Sequence, residues 1–339
     1  MRSPAHWFTP PERPGRTARL LSPLGLFYAR STARRLASGP AWRAPVPVIC
    51  VGNLNAGGTG KTPTVLALVA HLHRMGREPA ILSSGHGGGR LGPLRVDPRR
   101  HTSAQVGDEP LLAADFAPTW IACDRVEGAR ALLSADREGK PPFDCIVMDD
   151  GFQDPSLAKD ISIVVVDAVR GFGNGLCIPA GPLREPVATG LERAELLLSI
   201  GPRNAQDRFA TLWGKSINLP HLRGDLQPLK TGMEWAGARL LAFAGIGHPG
   251  KFFAALRELG AELVRCEAFE DHQPFTQGLL TRLEREASLR GAQLVTTEKD
   301  AVRLPQEFRR KVLTLPVRLN VADISALDAA LTRVGLRQG

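Results

Sequence analysis

Apolar residues along the 339-residue chain fall into two rhythms: short β-branched runs bounded by glycine or aspartate, and longer stretches with helical spacing. The run PVPVICVGNL (45–54) is apolar at successive positions, which suits a strand buried on both faces. Beyond it, Val65, Leu66, Leu68, Val69 and Leu72 recur at helical spacing, and Pro63 falls in the first turn, where a missing N–H is tolerated. The pattern continues with strands EPAILSS (78–84), PTWIAC (118–123), FDCIVMDDG (143–151), ISIVVVDA (161–168) and AELLLSI (194–200), and with helices from about Asp108 and over DRVEGARALLSAD. Strands alternating with helices predict an α/β fold with a mainly parallel sheet.

Residues 213–236 are richer in polar residues, glycine and proline and predict a connecting hairpin. A second, smaller α/β unit follows, from ARLLAFAGI through the strand KVLTLPVRL to a closing helix from Asp323. The expected division is a basic amphipathic segment over 1–45, a nucleotide-binding α/β/α domain over 46–212, a linker over 213–236 and a C-terminal α/β domain over 237–339. The chemistry is expected in the cleft between the two units, at the carboxyl ends of the first sheet's strands.

Composition adds little to this picture: 43% hydrophobic and 23% charged residues are ordinary for a globular chain. Five scattered cysteines, with no CxxC pair, argue against a disulfide framework or a zinc site and for a reducing compartment. No apolar run reaches the roughly 18 residues of a membrane span, and MRSPAHWFTPPERPG lacks the apolar core of a signal peptide. A cytoplasmic location is the expectation.

Charge changes the picture more. The net +9 is concentrated at the start, where residues 1–45 carry eight arginines against Glu12 alone. Within them SPLGLFYARSTARRLAS (22–38) reads as a helix with Ser22 as N-cap and Pro23 at the first helical position. Leu20, Leu21, Leu24, Leu26, Phe27 and Tyr28 cluster ahead of Arg30, Arg34 and Arg35. Two readings fit. A cationic helix with bulky apolar residues lies on an anionic membrane surface, or the helix packs on its own domain with solvated arginines. Sparse aromatics and the lack of a binding motif speak against nucleic acid.

The candidate chemistry starts at NAGGTGKT. Gly60, Lys61 and Thr62 complete a P-loop whose opening glycine position holds Asn55. Asn is the residue besides glycine that best tolerates positive φ, and Ala56, Gly57, Gly58 and Thr59 complete a flexible loop. A strand, such a loop and a helix in that order aim amide donors at a phosphate. Lys61 is then expected at the β- and γ-phosphates, and Thr62 on Mg²⁺. The strand ending in Asp149 and Asp150 has the Walker B form. Neighbouring strand side chains point in opposite directions, so one acid is expected on the metal and the other on a loop or substrate. Arg184 and Glu185, in the proline-stiffened loop PAGPLREP, fit a phosphate cation and a further metal ligand. In VGDEPLL, Asp108 reads as an N-cap with Glu109 in the first turn. TTEKDAV (296–302) departs from the guanine-reading Asn-Lys-x-Asp order.

GNLNAGGTGKTP, VGDEPLL, DDGFQDP, IPAGPLREP, AGIGHPGKFF, DHQPF and TEKDAVRL, in this order over roughly residues 45–305, closely resemble the tetraacyldisaccharide 4′-kinase family, the lipid A 4′-kinases. The resemblance implies Mg²⁺- and ATP-dependent phosphorylation of the 4′-hydroxyl of a tetraacylated glucosamine disaccharide 1-phosphate, the lipid A disaccharide precursor, at the cytoplasmic face of the inner membrane. It implies two α/β/α domains joined by a β linker and no obligate protein partner. It places Lys61 and Thr62 in the P-loop, Asp149, Asp150 and Gln153 in the Walker B motif, and Arg184 and Glu185 at the phosphate and metal. Asp108 and His272 match the family's acid/base dyad. Where the family commonly reads Arg-Gly-Tyr-Gly, this chain has Ser84-Gly85-His86-Gly87, which leaves the contact of the aromatic ring in doubt. Two other classes compete: a soluble P-loop GTPase or metallochaperone-type regulator, and a non-catalytic, ATP-responsive membrane-associated protein. Against the first stands Met148, where an Asp-x-x-Gly motif requires aspartate.

Overall fold

The computed structural model describes residues 4–90, 92–134, 142–271 and 273–338. A 3₁₀ turn (Ala5–Phe8) and helix α1 (Arg16–Leu36) come first, followed by β1 (Val48–Gly52), α2 (Lys61–Arg74) and β2 (Pro79–Ser83). Then come β3 (Leu94–Arg95), α3 (Ser103–Val106), α4 (Asp108–Ala113), β4 (Thr119–Ile121), α5 (Arg125–Leu133), β5 (Cys145–Asp149) and β6 (Ile161–Asp167). The stretch closes with α6 (Val187–Leu191), β7 (Leu196–Ile200), α7 (Arg203–Trp213) and β8 (His221–Pro228). A second group comprises β9 (Arg239–Ala244), α8 (Pro249–Glu258), β10 (Glu262–Ala268), α9 (Gln277–Leu289), β11 (Gln293–Thr297), α10 (Glu298–Ala301), α11 (Gln306–Arg309) and β12 (Val312–Leu315). The chain ends with β13 (Val317–Val321) and α12 (Ser325–Arg333).

Nine strands form one sheet in the order β13-β8-β7-β6-β1-β5-β2-β4-β3, and four form a second in the order β10-β9-β11-β12. The second sheet is parallel throughout, and the first is antiparallel only at its two edges, β3 on β4 and β13 on β8. β1 lies between β5 and β6, where strand order turns around and the carboxyl ends splay apart. Ile49 and Val51 pack on one face with Leu68, Val69 and Leu72 of α2, while Val48 and Cys50 pack on the other with Phe152 and Phe172. Cover on both faces explains why β1 reads as an uninterrupted apolar run. Each such side chain contributes about 1.5–3 kcal/mol on burial.

Three expectations are corrected. The stretch 213–236 does not close on itself as a hairpin. Its strand β8 joins the first sheet, parallel to β7 and antiparallel to the distant β13. KVLTLPVRL is not one strand: Pro316, which cannot donate a ladder bond, separates β12 in the second sheet from β13 in the first. The chain beyond Pro316 therefore returns to the first sheet, and α12 buries Leu327, Ala330 and Leu331 in the core that holds α2. Lastly, α1 begins at Arg16 and carries Pro23 inside it. The stop signal that prevails is Pro14-Gly15, with the Arg19 amide donating to the Gly15 carbonyl at 3.0 Å.

The faces of α1 are unusual. Its buried positions are the small residues Ala18, Gly25, Ala29 and Thr32, and a Cβ on Gly25 would stand 2.8 Å from the Cys177 carbonyl oxygen. Leu20, Leu24 and Phe27, on the opposite side, are 82%, 57% and 71% exposed. Among the described residues, no helix is long and apolar enough to cross a membrane.

Candidate active site

The loop after β1 curls because Gly57 and Gly60 adopt φ of +105° and +99°, a region glycine enters without strain. Asn53 holds it from within, its Nδ2 donating to the Gly57 carbonyl at 3.2 Å and to Thr59 Oγ1 at 3.0 Å. Gly60 is the N-cap of α2 and has no side chain with which to cap it, so the first-turn amides around Lys61 and Thr62 remain open to an anion. Asn55 does not take the positive φ expected of it. Asp150, at +52°, is the one non-glycine residue of positive φ among those described. Instead the Asn55 carboxamide is buried and donates to the Gly171 carbonyl at 3.0 Å, tying the loop's start to the turn after β6. Ala56 N donates to Pro182 O at 2.7 Å.

The two acids part, but not by strand alternation: β5 ends at Asp149, and Asp150 turns away in a left-handed conformation. Asp150 turns to Lys61 (3.6 Å) and Arg184 (2.9 Å). Burial alone pushes its carboxyl up, but Lys61 and Arg184 outweigh this and hold it below its ordinary value. Asp149 is 6% exposed, and its Oδ1 has no hydrogen-bond partner among the described residues. Burial first, and the neighbouring Glu109 carboxylate second, push it up to about 7. Arg125 underpins this strand end, its Nη2 donating to the Asp149 carbonyl at 3.1 Å.

Gln153 and Glu185 are committed to protein partners. Gln153 Nε2 donates to the Asn53 carbonyl at 2.8 Å and to Glu185 Oε1 at 2.9 Å, and its Oε1 accepts from Arg184 at 3.2 Å. The other oxygen of Glu185 pairs with Arg193 at 2.5 Å. The pair thus braces Arg184 against the end of the P-loop strand, with each oxygen of Glu185 engaged by a protein partner.

Asp108 is the first residue of α4 rather than its N-cap, which is Gly107. It is buried, and its Oδ1 accepts from the Glu109 amide at 3.0 Å. His272 lies outside the described residues. His86 is exposed, and its backbone packs against Gly107.

Sequence reasoning passed over Lys299. It reaches from α10 to Glu109 at 3.0 Å and to Asp108 at 3.9 Å, across the gap between the two sheets. Burial pulls its ammonium down, but Glu109 and Asp108 outweigh that and hold it above its ordinary value. The flanking residues of TTEKDAV divide similar work. Glu298 binds Arg318 of β13 at 2.8 Å, and fully buried Asp300 accepts from the Gly245 amide at 3.1 Å. This motif is the joint between the sheets. Its signal in the sequence was three charged residues in a row, which carry no address for a partner 190 positions away.

No group of three or more metal-ligating side chains occurs among the described residues. Mg²⁺ is commonly held by one or two carboxylates together with substrate phosphates and water. The unpartnered oxygen of Asp149, with Glu109 beside it, fits such an ion.

A family model described as tetraacyldisaccharide-1-P 4′-kinase matches residues 17–335. Among curated proteins, tetraacyldisaccharide 4′-kinase of Dinoroseobacter shibae is 60% identical over 332 residues, covering 98% of this chain and 97% of its own. The protein of that name from a Jannaschia species is 57% identical over 334 residues, covering 98% and 99%. Among solved structures, LpxK from Aquifex aeolicus in complex with ATP is similar with a TM-score of 0.75. The identity is 25%, and the match covers 94% of this chain and 99% of that one.

Proposed function

The chain belongs to the tetraacyldisaccharide-1-P 4′-kinase family, and we propose that it carries out that family's reaction, transfer of the ATP γ-phosphoryl group to the 4′-hydroxyl of the lipid A disaccharide precursor, with the residues gathered around its P-loop. The observation that carries the assignment of roles is the parting of Asp149 from Asp150. One acid is held by Lys61 and Arg184, while the other keeps a buried oxygen unpartnered beside an uncapped helix N-terminus.

ATP phosphates fit the open amides of the loop and draw Lys61 and Arg184 away from Asp150, so both cations are already in place when charge builds on the transferring group. Asp149 and Thr62, with Glu109 nearby, are the residues that would hold Mg²⁺, which when bound would supply neutralisation of phosphate charge. Asp150 and Glu185, first expected as ligands, take positioning roles in this reading. Gln153 likewise acts by holding Arg184. Asp108 accepts the proton of the sugar hydroxyl, and His272 is its expected partner. Lys299, paired with Glu109 and close to Asp108, positions that side chain.

The exposed Leu20–Leu24–Phe27 stripe and the arginines of α1 support a dock on an anionic membrane surface, because the helix fastens to the protein by its small-residue side. Apolar side chains then enter the lipid while arginines meet head groups; the surface proposed is the cytoplasmic face of the inner membrane. Incubation with labelled ATP and a tetraacyl disaccharide 1-phosphate tests the whole reading. The expected product is a bisphosphorylated lipid, and ATP turnover unaffected by the lipid acceptor would reject the assignment.

A further inference from the structure

The acceptor in the family's description already carries a phosphate, the 1-phosphate, and none of the groups assigned above is free to meet it. One cluster of cations in the same cleft has no assigned task. Arg170, on the turn after β6, is half-buried and has no carboxylate partner among the described residues; its guanidinium lies 4.7 Å from the centre of the Phe8 ring. Lys251 of α8 reaches across from the second sheet to Asp167 at 3.1 Å. His248 is the N-cap of α8, and its carbonyl accepts from the Lys251 amide at 3.2 Å.

We propose that Arg170, Lys251 and His248 form a subsite for a phosphate monoester, and that its occupant is the phosphate the acceptor sugar already bears. The inference rests on the kinase reading above and deepens it by naming what selects the 1-phosphorylated acceptor.

Three observations support this choice of occupant. The first is placement: the neighbour of Arg170, Gly171, receives the Asn55 carboxamide, so the turn adjoins the P-loop, and Lys251 reaches Asp167 of the same turn from α8. The cluster thus shares the acceptor's cleft, while Lys61 and Arg184 serve the transferred group. The second is charge. Asp167 is occupied by Lys251 and by the Val169 amide, which leaves the Arg170 charge uncompensated. Burial and the two cations hold the His248 imidazole below its ordinary value, so it offers a neutral N–H alongside two charges. The third is preorganisation. A guanidinium resting on an aromatic face keeps its planar fork fixed, and that fork matches two phosphate oxygens. Phe8 belongs to the same amino-terminal segment as α1, the helix proposed to meet the membrane.

The test compares kcat/KM for two acceptors, the tetraacyl disaccharide 1-phosphate and its 1-hydroxyl counterpart, in wild type, Arg170→Gln, Arg170→Lys and Lys251→Gln. Loss of a charged hydrogen bond should cut the preference for the phosphorylated acceptor roughly 10- to 100-fold in each Gln variant, with Arg170→Lys between. The KM for ATP should not move. An unchanged preference in both Gln variants would overturn the proposal, as would a rise in the KM for ATP, which would mark a nucleotide site. Weakened binding to anionic phospholipid vesicles with the acceptor preference intact would also overturn it, by assigning the cations to head groups of the bilayer. Turnover of the 1-hydroxyl acceptor reports that each variant is folded. If wild type phosphorylates neither acceptor, the kinase reading itself fails, a result distinct from failure of the subsite.

Discussion

Asp150 carries two cations at 3.6 and 2.9 Å and adopts φ of +52°, so an aspartate beside the phosphate site acts as a holder for Lys61 and Arg184. Lys61→Ala should lower turnover by about 10²–10³, the range for removing a preorganised transition-state contact. Stability should change by no more than about 1 kcal/mol, because the Lys61–Asp150 pair is partly solvated. Near-normal turnover in the folded variant would reject the role of Lys61. Asp149 makes the opposite case. With its carboxyl raised to about 7, the folded protein holds the proton more tightly than the unfolded chain does. The stabilisation from the neutral form is complete below about pH 4 and is lost as pH rises through about 7. In metal-free protein, Asp149→Asn should therefore match wild type at pH 4 and exceed it by about 4 kcal/mol at pH 8. Parallel denaturation midpoints across that range would show that the acid is not buried as a charge.

At the scale of the element, α1 separates two requirements that usually share one face. Its fastening side is small: Gly25→Ala would press a methyl group into the Cys177 carbonyl at 2.8 Å and should cost about 1–3 kcal/mol, as overpacking does. Its bulky side faces outward, so Leu24→Ser with Phe27→Ser should leave thermal stability within about 0.5 kcal/mol and weaken vesicle binding at every salt concentration. Arg30→Gln, Arg34→Gln and Arg35→Gln together should weaken binding most at low salt, since screening removes that share first. Activity on a soluble short-chain acceptor should survive both sets. A fall in melting temperature for the Leu24/Phe27 variant would show that the stripe packs on protein.

For the whole molecule, charged side chains bridge the two sheets beside Val302, which packs in the first sheet's core, and Lys299 stands 3.0 Å from Glu109 and 3.9 Å from Asp108. Asp108→Ala should lower turnover by about 10²–10⁴, the range for loss of a general base. Lys299→Met should lower it by about 10-fold, while Lys299→Arg retains most of the activity. If Lys299 works through Asp108, the double variant Asp108→Ala/Lys299→Met will be hardly worse than Asp108→Ala alone. Multiplicative losses would assign Lys299 a separate task.

Local rules carried the reading a long way because the P-loop and the β5 acids are built from neighbours in sequence. Strand, glycine-rich loop and helix follow one another within residues 48–74, whereas the divergence of Asp149 and Asp150 comes from the left-handed turn at Asp150, just past the end of β5. Composition and alternation were likewise enough for an α/β fold, since a strand covered on both faces must read as apolar throughout. Tertiary structure decided what depends on partners far along the chain. Only the assembled sheet shows which acid faces Lys61, that Glu185 is engaged by Arg193, that Asn55 is fixed by the turn after β6, and that Lys299 meets Asp108. Pro316 is the clearest instance. The sequence marks it as a break, but a missing N–H says nothing about destination. The strand after it crosses to the first sheet because the edge of β8 offers its ladder bonds there and α12 finds its apolar contacts against α2.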